Sequence, residues 1–464
     1  MRLQISHLIV LIFFVLATCL RFSNLKLNYQ PTADKFNETH LDIFDDYKKF
    51  PNRVSQIQED EVEKFEPTSY SNTSIPLFPE FNITLKPQTY NNYCLYANVY
   101  KTQYRAFKLP MILHTSANYF GENLLLMANS WEGRISLAIF ASSGTTESKK
   151  LSPGIPNTVK RIYDMVNCNP SLKKALSAHI FVANTYPEFK CPTIDITIKP
   201  PSVCDFSARL KKFRFKTPAG LYPVNTARNV ARMCDNSEYF LYADMEQQFS
   251  DGAEAKLRKL IEKHDIKRNN LTLTIRRFEH KTGTNAPRTL EELNKRYHED
   301  VFVFHSFFWK VGHWVPDLNS WMDYRGDEIK TVINIKKLKT TFWEPMFVAH
   351  RSIPFHDERI LYGKENHVSL ALHLCCAGYK FAIVPEVFNS HEGIHRFPIA
   401  RPIGGHAWFL AKRALWAFYR ELADQYPTTS KKCLKGRHPN RNKPRHHKNS
   451  TVTATTGNGR QTVN

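Results

Sequence analysis

The 464-residue chain has no cysteine pair at zinc-ligand spacing, no nucleic-acid module such as a zinc knuckle, and no internal repeat. A structural zinc finger and a repeat array are thereby excluded. A long apolar run is missing too. The uncharged stretch Leu8–Leu20 spans thirteen residues, whereas a helix needs about 20 to cross a bilayer. That length suits a signal-peptide core cleaved near Ala17 or Cys19, or a short signal anchor helped by the thin early-secretory bilayer. Residues 431–464 contain no acid, and this tail supplies part of the net +21 left by 64 Lys+Arg against 43 Asp+Glu. Without a nucleic-acid module, the excess reads as a solvated basic surface suited to an anionic substrate, such as a nucleotide diphosphate or an acidic glycan.

What is present points to the secretory pathway. Asn37, Asn72, Asn82, Asn270 and Asn449 each head an N-x-Ser/Thr sequon. Apart from Cys19 in the apolar segment, the chain carries Cys94, Cys168, Cys191, Cys204, Cys234, Cys375, Cys376 and Cys433. This even set permits disulfides in an oxidising lumen without fixing their pairing. The expected organisation is a cytosolic tail (1–7), a signal anchor or signal peptide (8–24), a polar stem (25–90), a globular domain (91–430) and a basic disordered tail (431–464). A single-pass type II Golgi membrane protein is expected, with a secreted protein as the alternative. Homo- or hetero-oligomerisation stays open.

Within residues 91–430, short apolar strands alternate with amphipathic segments, which predicts an α/β fold with a mostly parallel sheet flanked by helices. "PMILH", "ISLAIFA", "HIFVANTY", "YFLYA", "LTLTIRRFE" and "KFAIVPE" read as strands. "NYFGENLLLMANSW", "YPVNTARNVARM" and "DGAEAKLRKLIEKHD" read as helices, the last with Asp251 as N-cap. A further helix follows Asn366 as its cap and stops at Gly378.

The strand "YFLYA" ends in Asp244-Met245-Glu246. Ligands of open α/β sheets bind beyond the carboxyl ends of strands. A strand ending in acid-x-acid places two carboxylates on that edge, both on the same side because side chains alternate. Two such groups repel, and a divalent cation bridging them to a diphosphate removes the repulsion. A strand-end turn with both acids in solvent gives the same pattern.

Companion stretches decide between these readings. "ILHTSANYFGENLLLMANSWEGRISLAIFA", "YPVNTARNVAR", "RRFE", "FWKVGHWVPDLNSW", "WEPMFVAHRSIPFHDERILYGKENH" and "NSHEGIH" follow one another between Ile112 and Gly393. In this order they resemble glycosyltransferase family 49, the family of β-1,4-glucuronyltransferase and of the second catalytic domain of LARGE-type enzymes. The resemblance implies a GT-A-like nucleotide-sugar-binding fold with a mixed, mostly parallel sheet. It also implies metal-dependent, inverting transfer of a sugar from a UDP-sugar donor to a glycan or glycoprotein hydroxyl. Glucuronic acid is the first-choice donor sugar; N-acetylglucosamine or another hexose, or a catalytically silent glycan-binding member, is the alternative. By the same resemblance Asp244, Glu246 and His391 hold Mn²⁺ (or Mg²⁺). His114, Ser116, Asn225, Arg228 and Asn229 lie toward the nucleotide, and Trp343 and Glu344 toward the acceptor. Asp357, Glu358 and Glu365 are candidates for the general base, Asp357 foremost. Arg276-Arg277 stand where the family has Pro-Ala, and Asp-x-Glu where Asp-x-Asp is frequent.

Overall fold

A computed structural model describes residues 79–437 apart from 105–107, 118, 120, 142–153, 185–189, 203, 205–221, 338–341 and 398–404. The first half runs β1 (Phe81–Leu85), β2 (Gln88–Tyr90), β3 (Tyr93–Tyr100), β4 (Pro110–Ser116), α1 (Glu122–Ser130), β5 (Arg134–Phe140), α2 (Gly154–Cys168), β6 (Leu176–Ala183) and β7 (Ile194–Ile198). The second half runs α3 (Val224–Met233), β8 (Tyr239–Tyr242), β9 (Gln247–Phe249), α4 (Ala253–His264), β10 (Leu271–His280), β11 (Val301–Val303), β12 (Thr331–Ile333), β13 (Met346–His350), α5 (Val368–Cys376), β14 (Lys380–Glu392) and α6 (Gly405–Gln425), with shorter helical turns between.

Strand alternation builds a sheet buried on both faces. Met111, Leu113, Leu137, Ile139 and Leu241 enter one core with α1, α2 and α4. Ile112, Ala138, Phe140, Phe240 and Tyr242 enter the other with α3, α5 and α6. The main sheet has 12 strands in the order β12-β14-β10-β13-β8-β4-β5-β6-β3-β2, with β11 on β10 and β9 on β14. The expected α/β architecture and mixed sheet are present. Among the described strands, parallel pairing is confined to β4–β5, β5–β6, β4–β8 and β10–β14, so antiparallel pairs outnumber parallel ones and "mostly parallel" is corrected. The reason is local: β13 inserts antiparallel between β8 and β10, interrupting the crossover pattern.

Several expected boundaries move. The stem boundary at 90 falls inside the β2–β3 hairpin, where Tyr90 pairs with Tyr93. The tail boundary at 431 excludes Cys433, which is fully buried and disulfide-bonded to Cys375. Cys94–Cys191 and Cys168–Cys204 are also bonded. Cys234 and Cys376 stay thiols, each pushed up to about 12 by burial. Helix α4 is preceded by Gly252 at φ +67, not capped by Asp251, whose carboxylate pairs with Arg288. Helix α5 likewise has His367, not Asn366, at its N-cap position. Asn82 and Asn270 are exposed. Asn37, Asn72, Asn449 and the segment 1–24 lie outside the described residues, among which no helix is long and apolar enough to cross a membrane.

The Cys375–Cys433 bond closes a 58-residue separation and ties the C-terminal helical segment to α5. Cys433→Ser is therefore expected to destabilise the fold by about 3 kcal/mol. A urea midpoint equal to that of the unsubstituted protein would contradict this closure.

Candidate active site

Strands β4 and β8 run parallel with Ile112 opposite Tyr242, so their carboxyl ends open side by side. Beyond β8 the backbone does not stay extended. It turns at Met245-Glu246, and Glu246 adopts φ +78, in the left-handed region. The turn separates the two acids, because side-chain alternation holds only along a strand. Asp244 faces α3 and α5. Its Oδ2 accepts from Arg277 Nη2 at 2.9 Å and its Oδ1 lies 3.0 Å from His367 Nε2 and 3.6 Å from Arg228 Nη2. Burial alone would raise the Asp244 carboxyl, but His367, Arg277 and Arg228 outweigh it and hold it well below the usual carboxylate range. Glu246 faces α1 and β14 instead. Its Oε1 accepts from Asn123 Nδ2 at 2.8 Å, and its Oε2 lies 2.9 Å from His391 Nε2.

His391 reaches Glu246 because β14 continues to Glu392 and pairs with β9, placing His391 opposite Gln247. The apolar run "KFAIVPE" alone predicts a strand ending at Glu386. In the structure the chain instead shifts register there, with Glu386 at φ +56, and resumes pairing with β10 at Phe388. A bulge accommodates the proline without ending the strand.

The Glu246–His391 pair fits one edge of a cation's coordination shell. Two adjacent ligands about 2.1 Å from an octahedral ion stand about 3 Å apart, and 2.9 Å separates these atoms. The imidazole favours Mn²⁺ over Mg²⁺. Of the expected three-residue set the structure brings Glu246 and His391 together, while Asp244 lies in the arginine–histidine cluster. Among the described residues, the His/Cys/Asp/Glu group whose ligand atoms all lie within 4.8 Å of one another is a different one, Glu279, His305 and His395.

The other expected residues divide. His114 lies near the carboxyl end of β4, beside the Asp244 cluster. Its Nδ1 contacts Tyr222 Oη at 2.8 Å, its buried Nε2 has no partner, and burial, aided by Arg228, keeps the ring well below its ordinary pKa and neutral. Ser116 is half-buried two residues on. Arg228 is 2% exposed and belongs to the site. Asn225 and Asn229 are brackets: they donate to the carbonyls of Asp357 (2.7 Å) and His356 (2.9 Å), pinning that loop to α3. Trp343 is 3% exposed with its ring against Phe381, so it packs in the core and offers no face to a sugar. Glu344 lies among the site charges, 3.8 Å from His313 Nε2, and burial pushes its carboxyl up to about 7.

The three expected bases are all committed elsewhere. Asp357 is paired with Arg359, which also holds Glu421. Glu358 accepts from Tyr90, Asn91 (3.2 Å), Thr226 (3.1 Å) and Asn229 (2.8 Å). Glu365 meets Tyr419 and Arg437. In this structure they brace the loop and the C-terminal segment.

Arg277, His367 and Asn123 enter the site without having been assigned to it. Arg277 had a signal, the Arg276-Arg277 pair standing where the family has Pro-Ala; His367 and Asn123 had none beyond lying near helix starts.

Over residues 108–427 the chain matches the family described as glycosyl-transferase for dystroglycan. Beta-1,4-glucuronyltransferase 1 of Mus musculus is 23% identical over 354 residues, covering 74% of this chain and 81% of that protein. Xylosyl- and glucuronyltransferase LARGE1 of Danio rerio is 25% identical over 173 residues, covering 37% of this chain and 22% of that protein. Among solved structures, GalNAc-T7 with UDP, GalNAc and Mn²⁺ aligns at TM-score 0.37 and 10% identity, covering 71% of this chain and 56% of the other. With the family match spanning well over half of the sequence, the chain belongs to this glycosyltransferase family.

Proposed function

We propose that this chain is a metal-dependent, inverting transferase of GT-A-like fold that moves glucuronic acid from UDP to a glycan hydroxyl. The observation that carries the reading is the Glu246–His391 pair, held 2.9 Å apart at the carboxyl edge of the sheet. These two residues would hold the cation, Mn²⁺ foremost, which when bound neutralises the departing diphosphate. Arg228 and Arg277, buried beside Asp244, offer planar charge to a phosphate or to the donor's carboxylate. Glu344 replaces Asp357 as the acid for the acceptor proton. Among the described residues it meets no arginine or lysine within ion-pair distance, and a carboxyl near 7 is matched to proton transfer. The three disulfides suit an oxidising secretory-pathway lumen, within which the Golgi is the proposed setting.

The test is a panel of UDP-sugars offered to the purified protein with Mn²⁺. Turnover of UDP-glucuronic acid ahead of the others is expected. Turnover of UDP-N-acetylglucosamine instead would replace the donor. Absence of any turnover, with glycan binding retained, would favour a silent member, a reading to which the neutralisation of Asp244 by two arginines lends weight.

A further inference from the structure

Three segments remote in sequence converge on one buried carboxylate near the site. Glu279 is the penultimate residue of β10, His305 lies in the turn after β11, and His395 follows β14. The Glu279 side chain is 0% exposed and its Oε1 has no hydrogen-bond partner. Its Oε2 lies 3.3 Å from His395 Nδ1. His305 is held at φ +55 with its ring stacked on Phe304 at 3.8 Å between centroids. Its ring centroid lies 5.2 Å from that of His395.

We propose that Glu279, His305 and His395 form a zinc-binding site separate from the Glu246–His391 pair. The ligand atoms of all three lie within 4.8 Å of one another. Tetrahedral zinc with ligands at about 2.1 Å sets them about 3.4 Å apart, close to the 3.3 Å between Glu279 and His395. Two imidazoles and one carboxylate suit zinc over magnesium and leave a fourth position open. Beyond the His395 side chain and the backbone N–H groups of His305 and His395, this solvent-free carboxylate has no arginine or lysine partner, because the guanidinium of neighbouring Arg277 is turned to Asp244. The site would clamp the segment after β14 to the end of β10, four residues beyond His391, whose ring lies 5.3 Å from that of His395. It does not depend on the transferase reading.

The test uses the full chain, stripped with chelator, reloaded with Zn²⁺ and dialysed free of excess, with zinc measured by mass spectrometry. One equivalent should remain on the unsubstituted protein and on Glu246→Gln and His391→Ala. His305→Ala and His395→Gln should weaken retention by about tenfold or more. Added zinc should also raise the melting midpoint of the unsubstituted protein and leave that of His395→Gln unmoved, a readout that separates loss of a ligand from loss of the fold. An unsubstituted chain that keeps no zinc, or zinc lost with His391→Ala and kept with His395→Gln, overturns the proposal.

Discussion

Glu246→Gln is expected to slow sugar transfer by about 1,000-fold, on the order of 4 kcal/mol of transition-state stabilisation. The substitution keeps the side chain's volume, and an amide oxygen can still accept from Asn123, so the α1 contact survives. What disappears is the charge facing His391 Nε2 across 2.9 Å. Apparent affinity for Mn²⁺ should fall together with turnover, and raising Mn²⁺ should restore part of the rate. Steady-state kinetics across a Mn²⁺ series checks this. A variant turning over at the parent rate would show that Glu246 holds nothing the reaction needs.

Glu344→Gln carries the second large effect, a loss of about 100- to 10,000-fold in turnover with binding of UDP-glucuronic acid largely kept. The sign of the pH dependence follows from the role. A base must be unprotonated, and burial has pushed this carboxyl up to about 7, so turnover should rise with pH through that value and level off above it. In Glu344→Gln the residual rate should lose that rising limb. The conservative Glu344→Asp should recover part of the rate. A pH profile unchanged by the substitution would return the role of base to another group.

Much of the scaffold was legible from side-chain pattern alone. The apolar runs of β4, β5, β6 and β8 are buried on both faces and could hardly be anything else, and the one-sided Val224, Ala227, Val230, Ala231 stripe marked α3. The acid pair after β8 was legible as a site but not in its arrangement. Alternation assumes a strand, and the left-handed turn at Glu246 sends the second acid to the opposite side. Long-range partners were invisible for the same reason disulfide pairing was. Arg277, His367 and Asp244 are brought together by topology, with His367 lying 123 residues from Asp244 in the chain. The acids of "HDERILYGKENH" misled because a carboxylate near a helix start looks alike whether it braces a loop or takes a proton. Their partners Arg359, Tyr90 and Arg437 distinguish the two, and none of these can be assigned from spacing.

The central claim is that Glu246 and His391 together grip the cation that meets the donor diphosphate. Titrating Mn²⁺ into the protein with UDP present, followed by calorimetry, addresses it most directly. Binding should weaken by about 100-fold or more in both Glu246→Gln and His391→Ala, and persist in His395→Gln. Undiminished Mn²⁺–UDP binding in His391→Ala, with the loss appearing in His395→Gln, would contradict the account.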